Sequence, residues 1–500
     1  MSGEQSIWEV RLQKLARMRE LGHDPYAHER YERTHTATEA LEEFHEGRQA
    51  SLAGRVVSYR PMGKAGFAHV SDGEARIQAY FKKDDLGPVG WELFTLLDVG
   101  DHIGVRGELF LTKTGEKSVH VRELSVLSKA LHAVPVGKEK EGHIWYGLQD
   151  VDQRYRHRHL DLICNPEARR MLLGRARIVS AVRRFMDGRG FLEVETPILQ
   201  VEAGGAAATP FLTHYRAYDM QVKLRISLEL YLKRILCGDV PKVYELSRCF
   251  RNEGISNRHN PEFTMLEFYE AYVGLEEMME AVEELFRSVC QSVFGTKVMD
   301  LAAAGPAVRV DFGKPWRRVD LLEEIELHSG VKASELQDLP TAKKALERVG
   351  VPAAKEHSVG GIIEKLLERF VEPLLIEPTF VVGYPIEISP LAKKERGNPK
   401  FTRRFEGFVG GREVCNAFSE INDPIDQRER FEAQVAQRKA GNEEAHPMDE
   451  DFLFALECGM PPTGGCGIGI DRVAMLLTGA DHIREVLFFP TMKPIRHEEP

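Results

Sequence analysis

The chain has 500 residues, of which 43% are hydrophobic and 29% are charged, and its formal net charge at pH 7 is −10. This length exceeds the usual size of one hydrophobic core, so two or more domains are expected. The net charge argues against a protein that coats nucleic acid, because phosphate binding needs clustered Lys and Arg, but it leaves room for local basic patches. The polar N-terminus and the lack of a run of about 18 apolar residues argue against a signal peptide and a membrane span, and predict a cytoplasmic protein.

The seven cysteines form no CxxC pair and have no regular spacing. Neither a zinc site nor a disulfide framework is therefore predicted. The cysteines are expected to be reduced and mostly buried.

Apolar residues at helical spacing predict an amphipathic helix over residues 7–20 and a second helix over 36–47. From residue 51 to about 128, short β-prone segments alternate with glycine-containing turns. That pattern is typical of a small five-stranded barrel. Residues 131–148 are predicted to be a linker that leads into a second domain.

The segment GLQDVDQRYRHRHLDLI opens the second domain, and an amphipathic helix is predicted over residues 172–189. Strand-forming residues 191–199 follow, and Pro197 interrupts them. Helical periodicity dominates residues 273–295 and again 319–376. These two helical segments are expected to support a sheet or form an insertion rather than carry chemistry.

Residues 241–272, which precede the helical segment 273–295, predict a β-hairpin. PKVYELSRCF and EFTMLEFYEAY are β-prone, and NEGISNRHNP between them is rich in turn formers. Successive side chains of a strand point to opposite faces. The two faces of the second strand are Thr264, Leu266 and Phe268, and Phe263, Met265, Glu267 and Tyr269. The first set suits a core. The second suits a ligand surface, because an unpaired buried carboxylate is costly, although Glu267 paired with an arginine on a solvated face is an alternative.

Three segments resemble the signature motifs of the class II aminoacyl-tRNA synthetases. Residues 188–199 (GRGFLEVETPIL) are similar to motif 1, 243–272 to motif 2 and 467–477 (GIGIDRVAMLL) to motif 3. In the second segment, FRNEGIS followed by RHNPEFTM and a Glu-x-Tyr pair resembles the bacterial-type lysyl-tRNA synthetase family in detail. Further matches, including GKAGF, GGAAATPF, LELYLKR and RFEGFVGGREVCNAFSEIND, extend the resemblance over nearly the whole chain.

The resemblance implies an α+β catalytic domain over residues 149–500, built on a mixed, mainly antiparallel sheet, with a homodimer interface around motif 1. It also implies an all-β, five-stranded OB-type barrel over 51–130 that binds the anticodon, with a helical segment over 1–50 packed on it. The implied activity is ATP-dependent activation of L-lysine to lysyl-adenylate and transfer of lysine to the 3′ end of tRNA(Lys). Mg²⁺ is the implied cofactor, ATP is a co-substrate, and no zinc, membrane or DNA is expected.

By the same resemblance, Arg251 and Arg472 are the catalytic residues. Arg251 would bridge the α-phosphate and the lysine carboxylate, since a guanidinium can hold two oxyanions at once. Arg472 and Phe263 would enclose adenine, although Arg472 taken alone could be an ordinary exposed arginine. The other implied ATP contacts are Glu253, Arg258 and His259.

Glu406 and Glu413 flank a Gly-Gly turn and match the family's magnesium ligands. Magnesium prefers oxygen ligands and takes one or two carboxylates together with phosphates. Without the resemblance, a pair of exposed strand carboxylates is the favoured interpretation.

The resemblance also implies a lysine pocket. Glu267, Tyr269 and Glu420 would hold the ε-ammonium, whereas the α-ammonium and the carboxylate would contact Gly205, Glu229 and Asn416. Strand parity places Asn416 and Glu420 on one face but Glu413 on the other. A bulge or twist between residues 413 and 416 is therefore needed if all of them serve one site.

In the barrel, the resemblance implies that Phe67 stacks on an anticodon base, that Gln78 and Glu116 contact base edges, and that Arg60 contacts the RNA backbone. Stacking on an aromatic ring is worth about 1–3 kcal/mol per base. The alternative for Phe67 is a place in the barrel core.

Two other functions stay open at this point. Relatives that charge aspartate or asparagine share the architecture, but a cationic side chain calls for acidic partners and an anionic one for basic partners. An RNA-binding protein with a degenerate synthetase domain is the second alternative, and the chemically intact site positions argue against it.

Overall fold

The computed structural model describes residues 2–136, 138–140, 143–145, 147–301, 308–354, 356–439 and 445–495. The chain forms two compact units, Met1–Arg169 and Arg170–Pro500. The cysteines are free thiols, and five of the seven are buried: Cys164, Cys249, Cys290, Cys415 and Cys466.

The first unit contains a closed barrel of five strands in the order β1-β2-β3-β5-β4. The elements of this unit, in chain order, are α1 Ser2–Glu20, α2 Ala37–Glu42, β1 Gln49–Met62, β2 Ala65–Ser71, β3 Arg76–Lys82, α3 Lys83–Thr95, β4 His102–Leu111, β5 Lys117–Ser128, β6 Lys138–Lys140, β7 His143–Trp145, α4 Val151–Arg156 and α5 Arg158–Cys164.

The barrel confirms the five-stranded prediction. Burial alternates along β2, because every second side chain, such as Ala68 and Val70, points into the barrel core. Both predicted N-terminal helices are present. The second begins with a capping box between Thr36 and Glu39 and is shorter than predicted, ending at Glu42.

The predicted linker contains a small two-stranded antiparallel sheet, β6 with β7. Residues 137, 141, 142 and 146 of that segment lie outside the described residues.

The second unit is built on an eight-stranded mixed sheet in the order β16-β17-β18-β19-β20-β13-β12-β8. The elements are α6 Pro166–Gly188, β8 Leu192–Glu193, β9 Leu199–Gln200, β10 Leu212–Tyr215, β11 Met220–Leu224, α7 Glu229–Leu236, β12 Lys242–Phe250, β13 Glu262–Ala271, α8 Leu275–Phe294, β14 Val298–Leu301, β15 Val308–Asp311, β16 Arg317–Asp320, α9 Leu321–Ser329, α10 Leu339–Arg348, α11 Val359–Leu366, β17 Thr379–Val382, β18 Arg404–Val409, β19 Arg412–Ser419, α12 Pro424–Lys439, α13 Glu450–Glu457, β20 Thr463–Gly469 and α14 Ile470–Thr478. Short 3-10 turns and one π turn are Pro25–Ala27, Ala333–Leu336, Leu367–Val371, Glu372–Leu374, Ile386–Ile388 and Ile483–Glu485.

Most strand pairs of this sheet are antiparallel; β12 with β8 and β16 with β17 are parallel. The predicted fold class is therefore confirmed. α6 begins earlier than predicted, at Pro166, because proline suits the first turn of a helix. Regular strand structure in residues 191–199 is limited to Leu192–Glu193 and the start of β9, in line with the interruption at Pro197.

The main core lies between the sheet and the helices that cover one face. α8 and α14 supply much of it, including Met278, Phe286 and Met475. The opposite face of the sheet is left to line a cavity.

Candidate active site

A cavity of about 370 Å³ lies on the open face of the sheet. Its walls come from β13, β18, β19, β20, the loop between β12 and β13, and the start of α14. It brings together every predicted site residue of the catalytic domain: Gly205, Glu229, Arg251, Glu253, Arg258, His259, Phe263, Glu267, Tyr269, Glu406, Glu413, Asn416, Glu420 and Arg472.

The predicted hairpin and the two faces of its second strand are confirmed. β12 and β13 pair antiparallel from Lys242 opposite Glu270 to Phe250 opposite Glu262. Leu266 and Phe268 lie in the core and the other face lines the cavity, but Thr264, predicted on the core face, also lines the cavity.

Glu267 is buried, and no arginine in the described part of the chain pairs with it. Its carboxylate accepts hydrogen bonds from the Ser227 hydroxyl at 3.0 Å, the Leu228 amide at 3.2 Å and the Tyr269 hydroxyl at 2.9 Å. Burial raises the pKa of Glu267 to about 7, and the charge of Glu229 adds to the shift. The interpretation of Glu267 as a surface ion-pair residue is therefore wrong.

A β-bulge in β19 explains how residues of opposite parity reach one cavity. Gly407 pairs with Cys415, and the next residue, Phe408, pairs with Glu413. Val414 is the extra residue of the bulge, which turns the side chains before it relative to those after it. Glu413 therefore lines the same cavity as Asn416, as the parity argument required.

The α-ammonium end of the predicted pocket contains Gly205 and Glu229. Gly205 has φ +88°, and a Cβ there would lie 2.9 Å from Ser227 Oγ, so glycine is needed for conformation and for space. Asn416 is oriented by Arg404, whose Nε donates to its Oδ1 at 3.0 Å.

The end of the cavity predicted to bind ATP is rich in arginine. The Arg251 guanidinium lies 5.0 Å from the centroid of the Phe263 ring, and Arg258 pairs with Glu372 at 2.8 Å. Burial lowers the pKa of His259, and the nearby Arg472 lowers it further. The two guanidinium groups are thus held by their neighbours, whereas His259 is biased toward its neutral form.

The two predicted magnesium ligands are held by different partners. Glu406 accepts from the Tyr384 hydroxyl at 2.8 Å and from Arg404 at 2.6 Å, whereas Glu413 pairs with Arg472 at 2.6 Å. Burial raises the pKa of Glu406 to about 7, and the negative charge of Glu413 contributes. Glu406 is thus no exposed strand carboxylate, and Arg472 is no ordinary surface arginine.

These two carboxylates fit a magnesium ion that shares its coordination with phosphates. Within the described ranges, no group of three or more His, Cys, Asp or Glu side chains could hold a metal ion by itself. Magnesium commonly binds one or two carboxylates plus substrate phosphates, and a pair matches that donor set.

Several residues of the site were not predicted. Lys233, Arg404 and Tyr384 hold the pocket carboxylates in place, and Gly465 leaves room for Glu420 and Tyr269. For Lys233 a signal was available, because LELYLKR places it one helical turn after Glu229.

The expectation that residues 319–376 carry no chemistry needs correction. Glu364 of α11 lines the cavity, and Glu372 pairs with Arg258 of the motif 2 loop. Helical periodicity identified the helices but not the polar residues at their ends.

In the barrel, Phe67 is half-buried and lies outside the core cluster. Its ring is 5.1 Å from that of Tyr80 on the neighbouring strand. Gln78 donates to Glu116 at 2.7 Å, and Arg60 is exposed opposite Phe67. The core interpretation of Phe67 is wrong, whereas the anticodon roles stay predictions.

None of the helices in the described part of the chain is long and apolar enough to cross a membrane.

The fold and the cavity define the class of protein. The family model described as tRNA synthetases class II (D, K and N) matches residues 150–493, and that of an OB-fold nucleic acid binding domain matches residues 50–127. The chain belongs to the class II tRNA synthetases, as its three motifs predict.

Within that class, the chain is similar to lysine–tRNA ligases over nearly its full length. It is 51% identical to that of Moorella thermoacetica over 99% of both chains. It is 51% identical to that of Pelotomaculum thermopropionicum, over 98% of this chain and 95% of the relative, and 48% identical to that of Listeria monocytogenes over 97% of both. The resemblance to the lysyl-specific family is thereby confirmed.

Proposed function

We propose that the protein activates L-lysine with ATP to lysyl-adenylate and transfers lysine to the 3′ end of tRNA(Lys). The observation that carries this proposal is the pocket of three buried carboxylates, Glu229, Glu267 and Glu420, next to the arginine-rich end of one cavity. A substrate with a cationic side chain and a reactive carboxylate matches that charge distribution. Aspartate would place its side-chain carboxylate among like charges.

The chemistry needs positioning and charge neutralisation more than proton transfer. A lysine carboxylate oxygen attacks the α-phosphorus, the bond to the bridging oxygen breaks, and pyrophosphate leaves. Arg251 would hold the attacking carboxylate beside the α-phosphate. Arg258 and His259 would contact the outer phosphates and the bent nucleotide. Glu253 would bind the adenine amino group, and Phe263 and Arg472 would enclose the adenine ring.

Glu406 and Glu413 would hold magnesium together with the phosphates. When bound, the ion neutralises charge that develops on the phosphates. Arg404 and Tyr384 support this assignment, because they fix the Glu406 carboxylate at the cavity wall.

We assign recognition of the tRNA anticodon to the barrel, through Phe67, Gln78, Glu116 and Arg60. The exposed side of the Phe67 and Tyr80 rings offers a stacking surface. A location in the cytoplasm follows from the use of tRNA and ATP in translation.

We also propose a homodimer. Large apolar side chains lie exposed on and around β8 to β11, near motif 1: Leu192, Ile198, Leu199, Val201, Leu212, Tyr215 and Tyr218. Such a cluster on one surface is typical of an interface, and closed two-fold pairs are the commonest oligomers.

The deciding experiment is ATP–pyrophosphate exchange with each of the twenty amino acids, followed by aminoacylation of tRNA(Lys). Exchange driven by lysine alone, and lysine attached to the tRNA, are expected. Exchange driven by aspartate or asparagine but not lysine would overturn the substrate assignment. No exchange with any amino acid would favour an RNA-binding protein with an inactive site.

A further inference from the structure

A second lysine side chain, one that belongs to the protein, lies directly behind the proposed substrate pocket. Lys233 of α7 is completely buried. Its Nζ is 2.5 Å from Glu229 Oε1 and also contacts the Glu420 carboxylate. The aromatic rings of Phe418 and Phe452 lie 5.2 and 5.9 Å from the same ammonium.

Lys233 therefore pairs with two carboxylates of the proposed pocket. Glu229 is assigned to the α-ammonium and Glu420 to the ε-ammonium, and both face the cavity. Burial raises the pKa of Glu420, and the Lys233 ammonium opposes that shift. Although burial works the other way, Glu229 and Glu420 raise the pKa of Lys233, so this residue stays charged.

The charges of the cluster match the substrate. With Glu229, Glu267 and Glu420 ionised, the pocket carries three negative charges and Lys233 supplies one positive charge. Two negative charges remain, and free L-lysine has two ammonium groups. The nearby Arg404 is matched separately by Glu406 at 2.6 Å.

The titratable groups that face Lys233 come from three parts of the chain. Glu229 lies on its own helix and Glu420 follows β19, whereas Glu267 of β13 interacts with these two carboxylates. His446 approaches from the segment before α13, and burial and then Lys233 lower its pKa to about 4, so it is neutral at physiological pH.

We propose that Lys233 is a specificity-determining positioning residue. Its fixed ammonium keeps Glu229 and Glu420 ionised and separated. The empty pocket then carries two net negative charges, which the two ammonium groups of lysine neutralise. It touches neither the substrate nor the reacting atoms, since its side chain is fully buried behind the wall. This proposal rests on the proposed use of lysine.

The barrel unit contains a structural counterpart. Lys129 is also completely buried, and its Nζ pairs with Asp98 at 2.6 Å and Asp101 at 2.7 Å. Neither aspartate lines the cavity of the catalytic unit. Lys129→Met is therefore a matched control for the loss of a buried lysine between two carboxylates.

The test is pyrophosphate exchange by full-length Lys233→Met, with KM for lysine and for ATP measured across neutral to alkaline pH. Without the ammonium, repulsion among the carboxylates would favour protonation of Glu229 or Glu420. KM for lysine should rise at least ~10-fold at neutral pH while KM for ATP changes less than about 2-fold, and the lysine defect should shrink as the pH rises. Lys129→Met should change neither KM.

An unchanged KM for lysine in folded Lys233→Met would overturn the proposal, as would parallel pH-independent losses for lysine and ATP. If Lys233→Met does not fold by thermal melting, Lys233→Arg decides. It keeps the charge, so the pH profile of KM for lysine should coincide with that of the unmodified protein, and a shifted profile would overturn the proposal. Failure of the proposed function is distinguishable, because the unmodified protein would then show no lysine-dependent exchange.

Discussion

The Tyr269 hydroxyl donates a 2.9 Å hydrogen bond to the carboxylate of Glu267, two residues earlier on the same strand. Both side chains are buried, yet both line the cavity. The bond fixes one carboxylate oxygen, while Ser227 and Leu228 bind the other. An ammonium that enters the pocket meets a carboxylate already oriented, which reduces the entropy lost on binding.

Glu420→Gln should impair lysine use far more than ATP use. The substitution removes a buried charge that faces the ε-ammonium, and losing one partner of a buried charge pair costs about 2–5 kcal/mol. kcat/KM for lysine in pyrophosphate exchange should therefore fall at least ~30-fold, with KM for ATP nearly unchanged.

Glu253→Gln is the matched control, since it makes the same change at the exposed adenine end of the cavity. It should affect KM for ATP and spare KM for lysine. Equal losses for both substrates in Glu420→Gln would mean that Glu420 is structural.

Lysine binding without ATP should strengthen as the pH rises through about 7. Burial raises the pKa of Glu267 to about 7, so this carboxyl is half protonated at that pH when the pocket is empty. A bound ammonium favours the ionised form, and binding must release that proton. Kd for lysine should be roughly 10-fold weaker at about pH 6 than at about pH 8.

Calorimetry in two buffers of different ionisation enthalpy measures the proton release directly. Leaving out magnesium and ATP keeps Glu406, whose pKa is also about 7, from adding its own linkage. Glu267→Gln should flatten the pH dependence and weaken binding, and a dependence that survives in this variant would assign the proton to another group. The contribution of Glu267 to folding changes with pH in the opposite direction: its raised pKa stabilises the substrate-free fold below about pH 4.5, and this stability is lost as the pH rises through 7.

Gly465→Ala should close the ammonium pocket. A Cβ at this position would overlap the Glu420 carboxylate and lie 2.5 Å from the Tyr269 ring. Both neighbours are buried, so neither can move away cheaply. Lysine-dependent exchange should fall by ~100-fold or more. Binding of ATP, measured by equilibrium dialysis, should persist.

Gly467→Ala, two residues along the same strand, tests whether any alanine in β20 has this effect. Its Cβ would lie 3.4 Å from the flexible end of Met265, and in ordinary van der Waals contact with Glu267 Cγ at 3.6 Å and the Asn416 carbonyl oxygen at 3.9 Å. Lysine use should stay within about 3-fold of the unmodified protein. Similar losses in both variants would indicate damage to the sheet rather than a blocked pocket.

Residue type and strand parity were sufficient to predict the hairpin and its cavity face, because both depend on local backbone geometry. The bulge at Val414 could only be inferred from the mismatch in strand parity between Glu413 and Asn416, since it depends on how β19 pairs with β18 across the hairpin. Lys233 and Arg404 escaped prediction for a related reason: the Lys233 contact with Glu420 and the Arg404 hydrogen bond to Asn416 join residues that only the folded sheet brings close.

Phe67→Ala should impair charging of tRNA(Lys) without affecting lysine-dependent pyrophosphate exchange. The ring lies outside the barrel core, so its loss should leave the fold intact. Losing one base stack costs about 1–3 kcal/mol, which predicts a rise of roughly 5- to 150-fold in KM for the tRNA.

Phe81→Ala gives the contrast, because Phe81 is a fully buried core residue of the same barrel. It should lower the melting temperature of the protein. If Phe67→Ala lowers the melting temperature as much, its effect on charging reports barrel unfolding and the anticodon assignment fails.

Val201→Asp should weaken the proposed dimer. Val201 is 61% exposed, close to Leu199 and Ile198 on the apolar surface near motif 1. A charge there would be desolvated in an interface but hydrated in a monomer, so the equilibrium should shift toward monomer. Sedimentation velocity across a range of protein concentrations measures this shift.

Val89→Asp changes a similarly exposed valine of the barrel unit and should leave the assembly intact. An unmodified protein that stays monomeric at micromolar concentration would contradict the proposed dimer. If the Val201→Asp dimer is as stable as the unmodified one, the interface does not include the surface around Val201.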